Sequence, residues 1–61
     1  MPFIEIKVAG KLSKDQKEAI THEVTQTMKT VAGKPESATY IVITEVDREN
    51  WAKSGKLLSD S

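Results

Sequence analysis

Sixty-one residues carry nine basic and nine acidic side chains, one histidine and no cysteine. Without cysteine there are no disulfides or thiolate metal sites, and His22 alone cannot build a metal site without carboxylates. Zero net charge removes the electrostatic case for a nucleic-acid partner. No apolar run approaches the ~20 residues of a membrane span, and no signal-peptide pattern is present, so the expectation is a cytoplasmic protein with no membrane partner.

The length fits a single domain covering residues 1–61. A chain this short buries only about 60% of its unfolded surface, and a lone monomer is marginal. With disulfides and metals excluded, oligomerisation is the remaining source of stability.

Residues Pro2 to Val8 read as a strand, with Phe3, Glu5 and Lys7 on one face and Ile4, Ile6 and Val8 on the other. Pro2 suits the first position, where a missing N–H costs little. Ala9-Gly10-Lys11-Leu12 is a connector. Ser13 then opens a helix through a capping box with Gln16, and Asp15 suits the positive end of the dipole. Ile20, Val24, Met28 and Val31 form an apolar stripe that Ala19 and Thr27 widen. Gly33 and Pro35 end the helix, which is expected from Lys14 to Ala32, close to ~30 Å long. His22 lies about 200° around from Ile20 and is expected to be exposed and without a role.

Thr39 to Val46 is a second strand, apolar on both faces through Tyr40 and Val42 on one and Ile41 and Ile43 on the other. That pattern indicates a parallel pair, and strand, helix, strand gives a right-handed crossover. The fold class is therefore α+β: two parallel strands crossed over by one long helix. The helix covers only one face of such a sheet, so a second copy of the chain is expected to complete it. The tail from Asp47 to Ser61 is polar, with Trp51, Leu57 and Leu58 as apolar anchors and a turn at Ser54-Gly55 in a short hairpin or 3₁₀ segment. Trp51 is expected against a neighbouring subunit, with capping of its own sheet as the alternative.

The ordered set of Met-Pro, alternating strand, Gly-containing connector, Ser13-x-x-Gln16-Lys17, Gly33, Ile43-Thr44-Glu45, Trp51 and Gly55 resembles the 4-oxalocrotonate tautomerase family over nearly the whole chain. The resemblance implies a β-α-β protomer, a dimer with a four-stranded sheet, and commonly a homohexamer of three dimers. It also implies keto–enol tautomerisation of 2-oxo acids with the terminal proline as general base and no metal or organic cofactor.

If Met1 is removed, Pro2 becomes a terminal secondary amine; with Met1 retained, the nitrogen is an amide without basicity. Burial in an apolar pocket lowers the pKa of an amine towards neutrality, where a base is efficient. Phe3, Ile4 and a neighbour's Trp51 are the expected walls. The same amine can form an iminium with a carbonyl. A proline here can also do no more than start a strand.

The family's site contains two arginines, one after the first strand and one at the start of the second. Aligned without gaps, these positions are Leu12 and Tyr40. Neither side chain reproduces a guanidinium fork for a carboxylate. A substrate with at most one carboxylate is therefore expected. Lys11 or Lys53 would hold it, Tyr40 would polarise the carbonyl and Trp51 would wall the site. Arg48 and Glu49, in the loop before Trp51, have no assigned role. Two alternatives stand beside tautomerisation: a hydratase-, dehalogenase- or decarboxylase-like activity using the same proline, and a non-catalytic oligomeric binding module that lost its chemistry with the arginines.

Overall fold

The computed structural model describes residues 1–60. Strand β1 (Phe3–Ala9) leads into helix α1 (Lys14–Ala32), a 3₁₀ turn at Glu36–Ala38, and strand β2 (Tyr40–Val46). A second 3₁₀ turn (Arg48–Asn50) precedes the two-residue strands β3 (Ala52–Lys53) and β4 (Lys56–Leu57), and a last 3₁₀ turn covers Leu58–Asp60. The expected β-α-β unit and C-terminal hairpin are both present.

Helix α1 has the bounds its caps dictate. The Ser13 hydroxyl accepts from the Gln16 N–H at 3.1 Å, and the Gln16 side chain accepts from the Ser13 N–H at 2.9 Å. At the other end Gly33 takes φ +66, a left-handed conformation that favours glycine, and its N–H bonds the Lys29 carbonyl. The strand bounds shift slightly from expectation. β1 starts at Phe3 because Pro2 has no N–H to give the ladder. β2 starts at Tyr40 because Thr39 closes the preceding turn, its N–H on the Glu36 carbonyl and its hydroxyl on the Pro35 carbonyl.

β1 and β2 pair in parallel, with Phe3 opposite Tyr40, Glu5 opposite Val42 and Lys7 opposite Thr44. Ile4, Ile6, Val8, Ile41 and Ile43 are half-buried on the helix side, the side on which Glu45 reaches Lys17. The opposite side is open: Phe3 is 61%, Tyr40 54% and Val42 44% exposed. β2 is thus covered on one face within the protomer, not on both.

The covered face of α1 also differs from the expected stripe. Ile20, Val24 and Met28 are half-buried, but their companions are Lys17, Thr21 and Thr25. Ala19 and Thr27 are exposed, since each lies ~100° around from Ile20 or Met28 and turns away from the sheet. Val31 is 81% exposed. At ~1.5 Å per helical residue α1 is longer than the sheet it crosses, so its last turn overhangs. His22 is exposed, as its position on the helix requires.

Among the described residues no side chain is fully buried. The chain exposes 4657 Å², whereas a compact monomer of its mass exposes roughly 3,900 Å². Its radius of gyration is 14.4 Å against about 10.5 Å for a compact chain of this length, and it measures 41 × 24 × 14 Å. This is the geometry of a protomer with an uncovered face. Among the described residues no helix is long and apolar enough to cross a membrane.

Candidate active site

Parallel pairing places the starts of both strands side by side. The Tyr40 N–H donates to the Pro2 carbonyl at 3.0 Å, so the first rung of the sheet fixes Pro2. Pro2 is half-buried, Met1 beyond it is 86% exposed, and the neighbouring rings of Phe3 and Tyr40 lie on the open face. Pro2 and Tyr40 are the two expected site residues that one protomer brings together.

The other expected residues lie at the opposite end. Six residue steps separate Phe3 from Ala9, which is roughly 20 Å of strand. Trp51 follows β2 through the Arg48–Asn50 turn, closed by the Asn50 N–H on the Asp47 carbonyl at 2.8 Å. The Trp51 carbonyl accepts from the Leu58 N–H at 2.9 Å, and Arg48 Nη2 donates to the Leu58 carbonyl at 3.0 Å. Arg48 therefore clamps the tail against the turn. Ser54 and Gly55, both at positive φ (55 and 79), make the tight hairpin turn that returns the chain to this clamp.

Trp51, half-buried, lines an open pocket of about 310 Å³ with Lys7, Val46, Asn50 and Ala52. The residues around it come from the end of β1, the end of β2 and the start of the hairpin. Neither Lys11 nor Lys53 lines it: Lys11 is exposed in the connector, and Lys53 is exposed in β3 opposite Lys56. The pocket's cation is Lys7. The signal for it lay in the alternation of β1, which puts Lys7 on the Phe3 face; what the alternation lacks is the path of the tail back over that face.

The connector is pinned by Glu45. Its carboxylate accepts from the Leu12 N–H at 2.8 Å and pairs with the Lys17 ammonium at 3.2 Å. These bonds, the Leu12 N–H first and Lys17 second, hold the Glu45 carboxyl below the usual carboxylate range, and the charge of Lys11 adds to the effect. Leu12, the position of one missing arginine, thus offers its backbone to the fold. Lys11 lies within the field of Glu45.

A proline at the start of a strand beside a tyrosine, with a tryptophan-lined pocket at the far end of the same sheet, gives a small β-α-β protomer with candidate site residues at both ends. The family model for tautomerase enzymes matches residues 2–61. The chain is 30% identical over 60 residues to the 2-hydroxymuconate tautomerase of Bacillus subtilis, spanning 98% of this chain and 97% of the relative. It is 33% identical over 55 residues to that of Comamonas testosteroni, spanning 90% and 87%. Among solved structures, a 4-oxalocrotonate tautomerase isozyme of Methylibium petroleiphilum superposes with a TM-score of 0.88 at 31% identity, over 95% of this chain and 94% of the other. DmpI from Helicobacter pylori does so with 0.92 at 27% identity, over 98% and 100%. The chain belongs to the tautomerase family and is an isomerase of the tautomerase class.

Proposed function

We infer that the chain is a cytoplasmic homo-oligomeric tautomerase, a dimer or a hexamer of three dimers, in which the Pro2 amine is the general base once Met1 is removed. The substrate is a 2-oxo acid or its enol with at most one carboxylate. The unprotonated amine takes the enol hydroxyl proton. As the C–O bond becomes a carbonyl, the resulting ammonium returns a proton to carbon, so the reaction is proton-neutral overall. The Tyr40 phenol is a neutral donor for the oxygen on which charge develops. Trp51 walls the substrate, and a lysine near the same end of the sheet meets its carboxylate.

One observation carries this reading: the Tyr40 N–H on the Pro2 carbonyl fixes the proline at the sheet's first rung, next to the tyrosine. The family match also begins at Pro2 and not at Met1. The distance from Pro2 to Trp51 favours a site shared between protomers. A two-fold axis perpendicular to the strands, whether it joins sheet edges or stacks open faces, reverses strand direction and sets the Pro2 end of one copy beside the Trp51 end of the other.

The test is ketonisation of phenylenolpyruvate, with mass spectrometry to establish the state of Met1. Pro2→Ala is expected to lower kcat/KM by about 10²–10⁴, the usual contribution of a positioned base. Equal rates in the two proteins, or full retention of Met1 in the native source, would overturn the reading and favour a non-catalytic binding module.

A further inference from the structure

We propose that Lys7 is the residue that binds the substrate carboxylate, and that the pocket it lines selects a monocarboxylate with a flat apolar tail. This deepens the tautomerase reading and rests on it for the reaction; the binding is separately measurable.

Four observations converge. The pocket walls are the Trp51 indole with Val46 and Ala52, so most of the lining is apolar. Lys7 is the one charged residue of that lining, and the Asn50 amide and the Trp51 indole N–H are its other side-chain hydrogen-bonding groups. Among the described residues Lys7 has no ion-pair partner, whereas Lys17 is held by Glu45 and Lys14 by Glu18. Glu5, two residues back on the same face, accepts from the Thr44 hydroxyl at 3.0 Å and does not line the pocket.

A ligand for this lining has a matching layout. A carboxylate meets the Lys7 ammonium, a ring or branched tail lies on Trp51 and Val46, and the Asn50 amide can donate to a 2-oxo oxygen. The volume of about 310 Å³ is at the small end of ligand sites and suits an acid with one ring. A second carboxylate would face Val46, Ala52 and the indole with no cation to meet it, and desolvating it there is costly. The single cation therefore sets the charge of the substrate. Lys7 lies five residues from Pro2, roughly 16 Å along the strand, so the base that meets this ligand comes from a partner protomer.

Binding is read from the fluorescence of Trp51, the sole tryptophan. The probes are 3-phenylpropanoate and its neutral amide, titrated against the assembled protein. The carboxylate is expected to bind about tenfold or more tightly than the amide, the usual scale of a charge-assisted hydrogen bond. Lys7→Gln is expected to remove that preference and Lys7→Arg to keep it, while Lys11→Gln and Lys53→Gln leave it unchanged. In kinetics, Lys7→Gln is expected to raise KM for phenylenolpyruvate with little change in kcat. Equal affinity for acid and amide in the unsubstituted protein, or a preference that survives Lys7→Gln, overturns the proposal. Pro2→Ala separates the two readings, because it is expected to lose rate and keep the acid-over-amide preference.

Discussion

At the amino end of the sheet Pro2 is fixed by one backbone hydrogen bond to Tyr40, with exposed rings on either side. At the carboxyl end Trp51 is tied through its carbonyl to Leu58 and clamped by Arg48, beside a cation and a hollow. On the proposed reading the first end supplies a base with little enclosure, and the second supplies enclosure without a base. Neither is sufficient, and the strand between them is too long for one small molecule to bridge. On that reading, the difference teaches that the unit of function is larger than the protomer, in keeping with the protomer's uncovered apolar face.

The sharpest way to break that comparison is to prevent the ends of different copies from meeting. Val42 sits on the open face opposite Glu5, so Val42→Lys gives the isolated protomer an opposite-charge cross-strand pair. A second copy covering that face would instead bury an ammonium. Val42→Lys is expected to abolish both assembly and activity, read by sedimentation and by ketonisation rate. A fully active variant of unchanged mass would show that the open face is not an interface. Complementation is the next largest effect. Pro2→Ala and Trp51→Ala, each poorly active alone, are expected to recover activity when unfolded and refolded together, with about one site in four intact if each site draws on two copies. No recovery would mean that both residues act from the same protomer.

The smallest effect tests the joint that holds the carboxyl end of β2 to the connector. The Glu45 pKa is lowered in the folded state, so its stabilisation is present above the ordinary carboxylate pKa and is lost as pH falls through the lower folded value. Glu45→Gln is expected to lower the urea midpoint at neutral pH. The gap to the unsubstituted protein should close in acid; a gap constant with pH would mean that the charge of Glu45 contributes nothing.

Features that depend on a few neighbouring residues were legible in the sequence. The Ser13–Gln16 box and Gly33 set both ends of α1, and the alternation of Phe3 to Val8 set the faces of β1. Boundaries decided by side-chain bonds across a turn were less so: Thr39 reads as strand, but its hydroxyl belongs to the turn. Val31 continues the helical period perfectly well, and only the length of the sheet leaves it without cover. Of the candidate site, Pro2 could be singled out because the chemistry proposed for it depends on position in the chain. Tyr40 stands out because a gap-free alignment with the family puts it at an arginine position, and the parallel register sets it beside Pro2. The pocket was not legible in full, because Lys7 and Trp51 meet only through the course of the tail, which no local pattern encodes.

The capped helix has a kinetic consequence. Phe3 pairs with Tyr40, so the 36 residues between them must be looped before this pair of the sheet can form. As a flexible coil that loop is slow to close, since the entropy of closure is lost before any strand contact forms. Helix α1 needs no strand to start, because its box and its glycine cap are local. Once formed, it replaces 19 of those residues with a rod of roughly 28 Å, leaving two short linkers to search. Changes at Ser13 or Gly33, far from any substrate, then act on the speed at which the strands find each other.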